Sequence, residues 1–380
     1  MKPPTRVTVL TPPGRSAVAV IRVDGPAGVA AVEQHFWAAN QKPLQEQPLD
    51  RIVFGRWCSD EKAAGEELAG EELIVCRVSP SAIEVHCHGG HAAVEVVVRD
   101  LVAAGCVRTP WQQAIEASAL TAIEREAQTA LAESVTDRTA AVLVDQLNGA
   151  LASEVQAVAE LLSDGRIDAA GERIARLHQR MEFGRHLTSP WRVVLAGPVN
   201  VGKSSLINAL VGFERAVVFD EPGVTRDVVT SAAAIDGWPV ELSDTAGLRE
   251  ATDEIEAAGV ALAERAVASA DLVVLVEAPG VEPIALPPSA RVLRVANKAD
   301  LGPPTPEGAL PVSALTGAGI ADLVAAIGAA LVPDPPPPGA AVPFIDRHAT
   351  LIARAHKAIT GGRAEAAVAA LEALLAGRQD

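Results

Sequence analysis

A phosphate-binding loop is the clearest chemical feature of the sequence. The segment Gly197-Pro-Val-Asn-Val-Gly-Lys-Ser204 has the pattern G-x-x-x-x-G-K-S, and it lies between an apolar, strand-like run (Val193–Ala196) and a helix-like run (Ser205–Leu210). In this context, backbone N–H groups and the helix N-terminus can bind phosphate oxygens. The pattern predicts that Lys203 reaches the β- and γ-phosphates of a nucleotide and that the Ser204 hydroxyl ligates Mg²⁺.

Three later motifs indicate which base the nucleotide carries. Asp244-Thr-Ala-Gly247 ends one apolar run, where the aspartate can hold Mg²⁺ through water and the glycine N–H can sense the γ-phosphate. Asn297-Lys-Ala-Asp300 ends another run, and Ser313-Ala-Leu315 fits a supporting loop. The Asp300 carboxylate can accept hydrogen bonds from guanine N1–H and the N2 amine, a pair of donors that adenine lacks. The motifs together predict a guanine-nucleotide-binding domain.

Composition and charge narrow the classes of protein and partner. The 380 residues include 49% hydrophobic and only 3% aromatic residues, so helices packed on small side chains are expected. The formal net charge of −16 argues against a broadly basic nucleic-acid-binding face, and an RNA partner would need a local basic patch or a second protein. Four cysteines without C-x-x-C spacing, no signal peptide and no membrane span predict a cytoplasmic protein with free thiols.

The chain is predicted to contain five parts. These are an α+β domain (1–110), a first helical part (111–188), a domain of alternating strands and helices (189–332), a proline-rich linker (333–339) and a second helical part (340–380).

Local patterns predict individual elements within these parts. A helix is expected over Ala27–Trp37, and another from Gly89-Gly90 to Ala104. Residues 111–183 are expected to be helical throughout, apart from a turn at Asp164-Gly165, with Gly149 allowing close helix packing. Residues 346–377 are expected to form a helix or a hairpin of helices.

Several phrases of the sequence resemble one family, the MnmE (TrmE) tRNA-modification GTPases. The phrases are the segments Thr11–Arg22, Glu84–Gly90, Asp145–Leu151, Gly223–Asp227 and Asp244–Glu250. The resemblance implies a multidomain α/β protein. In that architecture a Ras-like P-loop GTPase domain is inserted in an α-helical domain and follows an α+β folate-binding-like N-terminal domain.

The resemblance also implies cofactors and partners. The N-terminal domain would dimerise and bind a 5-formyl- or methylene-tetrahydrofolate, with Arg22 and Glu84 at folate-contacting positions. The implied partners are tRNA, modified at its wobble uridine, and an FAD-dependent protein that completes the modification. G domains of a dimer would approach each other when GTP and K⁺ are bound, and no membrane is involved.

The resemblance assigns site residues position by position. Lys203, Thr225 and Glu256 are the implied catalytic residues, with Glu256 orienting the attacking water. Ser204, Thr225 and Asp244 would hold Mg²⁺, and Asn200 would contact K⁺. The implied GTP/GDP contacts are Asn200, Val201, Gly202, Lys203, Ser204, Ser205, Phe219, Asp220, Glu221, Pro222, Gly223, Val224, Thr225, Asp244, Thr245, Ala246, Gly247, Asn297, Lys298, Ala299, Asp300, Ser313 and Ala314.

The sequence departs from the family pattern at three places. The switch motif G-T-T-R-D is G-V-T-R-D here, so Val224 removes a hydroxyl from the loop around K⁺. Pro110–Ala122 replaces a family segment, and Ala122 stands near the position of a basic residue that helps to bind folate. The sequence ends at Asp380 without the family's C-x-G-K, so a shortened, diverged member is expected, without chemistry that needs that cysteine.

Alternative interpretations remain open at this point. A diverged regulatory or ribosome-assembly GTPase would keep the switch without modifying tRNA, and a nucleotide-stabilised scaffold would only bind partners. Glu256 can equally be a solvated helix carboxylate beside Asp253 and Glu254. His86, Cys87, His88 and His91 have side chains that could ligate a metal, or could simply form a strand-to-helix turn.

Overall fold

The computed structural model describes residues 3–11, 16–59, 70–116, 120–213, 230–244, 265–282, 284–302 and 306–378. The chain folds as two compact units, Met1–Ala119 and Leu120–Asp380. Within the described ranges, no helix combines the length and the hydropathy needed to cross a bilayer.

The first unit is built on a seven-stranded sheet. In spatial order the strands are β3 (Phe36–Ala38), β4 (Ile52–Trp57), β5 (Glu71–Ser79), β6 (Ala82–Gly89), β2 (Ser16–Asp24), β1 (Arg6–Val9) and β7 (Val107–Arg108). All neighbours are antiparallel except β1 and β7, which are parallel. The helices are α1 (Gly28–Glu33), α2 (His91–Ala103) and α3 (Trp111–Glu116). Alternate strand residues such as Ile21 and Val85 are fully buried in its core.

Two sequence expectations in this unit are wrong in their bounds. The helix expected over Ala27–Trp37 ends at Glu33, because Phe36 and Trp37 pair with β4 and the Phe36 ring is buried there. Aromatic residues pack well on a pleated surface, which favours the strand over a longer helix. Gly89 belongs to β6, and α2 begins only at His91. A Cβ on Gly89 would lie 2.0 Å from Ser16 Oγ, so this strand position requires glycine.

Helices from two separate stretches form one core in the second unit. The first stretch holds α4 (Ala122–Glu133), α5 (Asp137–Leu147), α6 (Ala150–Ser163), α7 (Ile167–Gln179) and α8 (Met181–Arg185). The second holds α11 (Asp346–Thr360) and α12 (Ala364–Leu375), so of the two forms that the sequence left open, one helix or a hairpin, the hairpin is observed. Their apolar residues, from Ile123 to Leu187 and from Ala341 to Leu374, belong to a single buried cluster.

The described part of 111–183 is helical, and the predicted turn at Asp164-Gly165 separates α6 from α7, but the stretch has further breaks that the sequence did not predict. Thr121 and Thr136 accept hydrogen bonds from backbone N–H groups and so begin new helices at α4 and α5. Gly149 has a φ of 93° and separates α5 from α6, so it serves a turn rather than close helix packing.

The helical core contains a buried ionic contact between α4 and α11. Glu126 accepts hydrogen bonds from Arg347 Nε at 2.8 Å and from His348 Nε2 at 2.7 Å. Burial lowers the pKa of His348 below its ordinary value. Burial alone would raise the pKa of Glu126, but the hydrogen bonds from His348 and Arg347 hold it below its ordinary value. The contact therefore favours an ionised carboxylate and a neutral imidazole.

Between the two helical stretches lies a six-stranded sheet. Its order is β13 (Leu310–Pro311), β12 (Val292–Ala296), β11 (Leu272–Glu277), β8 (Trp191–Ala196), β10 (Trp238–Asp244) and β9 (Thr230–Ile235). Only the β10–β9 pair is antiparallel. Helices α9 (Lys203–Val211) and α10 (Ile320–Leu331) pack against it. The carboxyl ends of the parallel strands therefore meet at one edge, where α/β sheets bind ligands.

The chain returns from this sheet to the helices along a segment held by α5. Gln146 is fully buried, and its side chain donates to Ala340 O at 3.0 Å and accepts from Val342 N at 3.0 Å. The adjacent Asp145 accepts from Gly339 N at 2.7 Å. These bonds fix the returning chain at the start of the second helical stretch.

Candidate functional site

The loop between β8 and α9 contains three residues with positive φ angles, and two of them are glycines. Gly197, Asn200 and Gly202 have φ values of 155°, 66° and 92°. A Cβ on Gly197 would lie 2.3 Å from Val276 O, and one on Gly202 would lie 2.4 Å from Asn297 Nδ2. Both positions therefore require glycine for close packing as well as for backbone conformation.

The functional side chains of this loop have partners at the same edge of the sheet. Lys203 is 5% exposed, and its ammonium donates to Gly197 O at 3.1 Å and to Pro198 O at 2.9 Å. The Ser204 hydroxyl donates to Asp244 Oδ2 at 2.6 Å. Asp244 is the last residue of β10, opposite Leu195 of β8. The structure thus places Lys203 and Ser204, at the start of α9, at the same sheet edge as Asp244, at the end of β10.

Asn297 joins this loop to the predicted base-binding loops. Its side-chain amide donates to Val201 O at 2.9 Å, and its oxygen accepts from Ala314 N at 3.1 Å. Next to it, Lys298 has a φ of 62° and donates from Nζ to Asn200 O at 2.6 Å. Because Asn297 is 2% exposed, its amide acts as an internal bridge between loops. The sequence motif predicts a nucleotide contact for Asn297 but does not reveal this bridging role.

The carboxylate of Asp300 is oriented by the following loop. The fully buried Ser313 donates from Oγ to Asp300 Oδ1, while Thr316 N donates to Ser313 Oγ at 3.2 Å. Asp300 lies in a short 3₁₀ helix, Ala299–Leu301, directly after β12. The loop predicted to support base recognition therefore contacts the residue that would read the base.

Of the remaining predicted site residues, two lie in the described part of the chain and the others do not. Val201 is buried in the core of the sheet, and Ser205 is exposed on α9. The switch segment Phe219–Thr225, the segment Thr245–Gly247 and Glu256 lie outside the described residues.

The two predicted folate residues face each other in the first unit. Arg22 on β2 lies opposite Glu84 on β6, with 3.5 Å between Arg22 Nη1 and Glu84 Oε1. Arg22 also pairs with Asp24 at 3.1 Å, and His86 Nε2 lies 3.4 Å from Glu84 Oε2. The structure therefore places both residues in one charged row across the sheet.

A cluster that sequence reasoning missed lies at the other end of β8. Trp191 stacks on His186 with ring centroids 4.4 Å apart and meets Trp238 edge-on at 5.6 Å. Phe183 packs edge-on against Trp238 at 5.4 Å, and Arg138 lies 4.4 Å from the centre of the Trp238 ring. We call these five residues the aromatic junction. Three of the chain's eleven Trp and Phe residues meet here, although they lie up to 55 residues apart in the sequence.

Among the described residues, one group of three side chains brings possible metal-ligand atoms within 4.8 Å of one another, and it is not the histidine cluster that the sequence left open. It comprises Glu182, His186 and Asp271. Among the histidines near Gly90, His88 instead lies 3.0 Å from Glu71.

Comparison with known proteins identifies the family. Residues 5–114 match the family described as GTP-binding protein TrmE N-terminus, and residues 192–298 match the 50S ribosome-binding GTPase family. The tRNA modification GTPase MnmE of Alkalilimnicola ehrlichii is 34% identical, with 83% of this chain and 79% of that protein covered. The MnmE proteins of Synechococcus sp. CC9605 and Parvibaculum lavamentivorans are each 33% identical, with 84% and 80% covered. This chain belongs to the MnmE family.

Membership in the MnmE family confirms the resemblance seen in the sequence motifs. It also confirms the predicted fold class of a P-loop G domain preceded by a TrmE-type N-terminal domain. Among solved structures, the G domain of the T. maritima FeoB iron transporter matches 37% of this chain at 25% identity, with a TM-score of 0.27. That score is too low to add to the assignment.

Proposed function

We propose that this chain binds GTP with Mg²⁺, hydrolyses it, and acts in modification of the tRNA wobble uridine, as an MnmE-type GTPase. The observation that carries the proposal is the bonded unit of three loops at one sheet edge. From its own loop, Asn297 bonds both the P-loop and the Ser313 loop, and Ser204 beside the P-loop bonds Asp244 at the end of β10.

The phosphate end of this unit fits a nucleoside triphosphate and its metal. Lys203 already donates to two loop carbonyls, so its ammonium is positioned to bond β- and γ-phosphate oxygens at the same loop. The oxygens of Ser204 and Asp244, 2.6 Å apart, are hard ligands of the kind Mg²⁺ prefers. Bound Mg²⁺ supplies neutralisation of the phosphate charge.

The base end of the unit supports selection of guanine. Ser313 occupies one oxygen of Asp300 as a donor, which fixes the plane of the carboxylate. Asp300 would then accept hydrogen bonds from guanine N1–H and N2, while Ala314 and Lys298 line the same loops. Asn297 and Ala299 hold the backbone of this region.

Residues outside the described ranges would complete the reaction. Thr225 would add a ligand to Mg²⁺, and Glu256 would orient the attacking water. Backbone groups of Phe219–Val224 and Thr245–Gly247 would contact the nucleotide. Within the described residues, Asn200 of the P-loop would contact K⁺, which would neutralise charge on the phosphoryl group during transfer.

Substitution of Asp300 tests nucleotide choice. Asp300→Asn exchanges an acceptor for a donor, so affinity should shift from GTP towards xanthosine triphosphate, measured by titration with both nucleotides. The matched control is Asp322→Asn, an exposed carboxylate on α10 of the same domain, which should keep the GTP preference. An unaltered preference in Asp300→Asn would contradict guanine recognition.

The turnover rate in KCl against NaCl at equal ionic strength tests the cation and the choice between two functions. Strong stimulation by K⁺ supports the tRNA-modification proposal, since Asn200 and the loop would build the cation site despite Val224. Equal slow rates with GTP bound favour the second candidate, a diverged regulatory or ribosome-assembly GTPase. Val224 and the replaced segment Pro110–Ala122 are the observations that favour this alternative.

The proposal extends to cofactors, partners and location. Arg22 and Glu84 would bind a 5-formyl- or methylene-tetrahydrofolate, and the first unit would carry a homodimer contact. tRNA and an FAD-dependent modification protein would be cytoplasmic partners. Equilibrium dialysis with 5-formyltetrahydrofolate tests the first point: Arg22→Ala should lower folate affinity and leave GTP affinity unchanged.

A further inference from the structure

A cavity of about 600 Å³ opens beside the aromatic junction, at the start of β8 rather than at its P-loop end. Its wall includes the charged and polar residues Glu182, Arg185, His186, Ser189, Asp271 and Asp346. With a rise of about 3.3 Å per residue, the six-residue β8 separates it from the P-loop by about 17 Å. The cavity is therefore distinct from the nucleotide and Mg²⁺ site.

His186 presents an imidazole nitrogen with a defined lone pair. Its Nδ1 lies 3.2 Å from the carbonyl oxygen of Ser189. A carbonyl only accepts, so in this contact Nδ1 carries the proton and the neutral ring has its lone pair on Nε2. Stacking on Trp191 fixes the plane of the ring. A backbone carbonyl bonded to the far ring nitrogen is the usual support of a metal-bound histidine.

Asp271 directs a second acceptor atom, a carboxylate oxygen, towards His186 Nε2. Arg192 N–H donates to Asp271 Oδ2 at 2.6 Å, which fixes the carboxylate from its other side. The remaining oxygen, Oδ1, lies 3.8 Å from His186 Nε2. Two acceptors at this distance can share a cation, either a proton or a metal ion.

Glu182 supplies a third ligand atom from α8, one helical turn before His186. The ligand atoms of Glu182, His186 and Asp271 all lie within 4.8 Å of one another. Ligands at about 2.0–2.2 Å from a tetrahedral zinc lie about 3.3 Å apart, so only small rotations are needed. Glu182 is 75% exposed and free to turn, and its contact with Arg185, 3.6 Å away, is a surface ion pair of low strength.

We propose that Glu182, His186 and Asp271 form a binding site for a divalent transition-metal cation of the zinc type. One imidazole and two carboxylates suit such a cation better than Mg²⁺, which prefers oxygen ligands only. The site would join α8 of the helical region to the residue that precedes β11. A bound cation would therefore clamp the helices to the base of the G domain, without touching the nucleotide.

Zinc titration of the full chain tests this site. Calorimetry with ZnCl₂ is performed on protein saturated with Mg²⁺ and GDP, so that the P-loop site is occupied. The unsubstituted chain should bind one zinc ion at this site. Loss of an outer-shell partner of a metal site weakens metal affinity by about 10–100-fold, so loss of a direct ligand in His186→Gln or Asp271→Asn should weaken zinc affinity by at least that much. Co²⁺ in place of zinc should give visible absorption that both variants lose.

Two variants keep the test independent of folding. Glu182→Gln changes an exposed side chain and should weaken zinc binding about 10-fold or more with an unchanged thermal unfolding temperature. The matched control is His88→Gln, because His88 also faces a carboxylate, Glu71 at 3.0 Å, but belongs to no three-ligand group among the residues that the structure describes. Unchanged zinc affinity in His186→Gln and Glu182→Gln would overturn the proposal, as would equal loss in His88→Gln. Absence of zinc binding in the unsubstituted chain would leave a protonated His186 bridging Asp271, and would also overturn it.

Discussion

The two ends of strand β8 differ in what holds them. At its carboxyl end, the P-loop is fixed by hydrogen bonds from Lys203 and Asn297 to backbone carbonyls, around glycines that leave no room for a Cβ. At its amino end, Trp191 and Trp238 pack edge to face in the aromatic junction. Hydrogen bonds to a loop can be exchanged for bonds to a ligand, whereas packed rings cannot. The first end is thus suited to binding and the second to permanent attachment.

This comparison predicts that substitutions at the two ends separate affinity from stability. Substitution of the P-loop side chain Lys203 should weaken GTP binding and leave unfolding nearly unchanged. Changes at the aromatic junction should do the reverse, because sites about 17 Å apart contribute additively.

The largest effect is expected for Lys203→Ala, which should abolish tight GTP binding. Two charge-assisted hydrogen bonds to phosphate, at about 1.5–3 kcal/mol each, correspond to a loss of about a hundredfold or more. Titration with a fluorescent GTP analogue measures it, with Lys357→Ala on the exposed face of α11 as the control. Unchanged affinity in Lys203→Ala would refute the assignment of the P-loop.

At the other end, Trp238→Ala should reduce the free energy of unfolding by about 3–5 kcal/mol. The ring is 2% exposed and contacts Phe183, Trp191 and Arg138, so its removal leaves a cavity. Urea unfolding measures the loss. GTP affinity of the folded variant should change by less than about twofold; a large change would show that the two ends are coupled.

Asn297→Ala should lower both the GTP affinity and the free energy of unfolding, unlike substitutions at either end of β8. It leaves Val201 O and Ala314 N without their side-chain partner, at a cost of about 1–3 kcal/mol for a buried polar group. We expect lower stability and about tenfold weaker GTP binding, since 1.4 kcal/mol corresponds to a factor of ten. Asn208→Ala, on the exposed side of α9, should change neither quantity. An effect on stability alone would show that the Asn297 hydrogen bonds do not contribute to GTP binding.

The smallest effect is expected for Arg138→Lys. Arg138 donates to Asp236 and lies over Trp238, but its side chain is 40% exposed. Cation–π contacts at exposed sites contribute about 0.5–1 kcal/mol, so thermal unfolding should shift by a few degrees at most. Arg176→Lys, exposed on α7, serves as the reference. A shift as large as that of Trp238→Ala would mean that charge, rather than packing, holds the junction.

Sequence patterns predicted the binding end of β8 far better than the attached end. The P-loop and the motif at Asp300 have fixed spacing because they must match a nucleotide, so Lys203, Ser204 and Asp244 could be named in advance. The aromatic junction joins Arg138, Phe183 and Trp238 across 100 residues of sequence, and packing partners so far apart leave no periodic signal. For the same reason, the sequence did not predict the group of Glu182, His186 and Asp271. It did suggest the histidines near His88, which are close in sequence but form no such group among the described residues.

Helix limits failed for local reasons. The helical pattern of 111–183 conceals breaks that are set by single residues, the Thr136 cap and the positive φ of Gly149. Their effect depends on backbone geometry that composition does not record.

The hydrogen bonds of Gln146 to Ala340 and Val342 affect how the chain folds during synthesis. Helices α4 to α8 leave the ribosome well before α11 and α12, and at about 5–20 residues per second the intervening segment takes several seconds or more to be made. During that interval the apolar faces of the early helices lack their partners from Ala341 to Leu374. The G domain, whose strands are contiguous in sequence, can fold first. In that order of events, completion of the G domain delivers the returning chain to Gln146, and the helical core closes last.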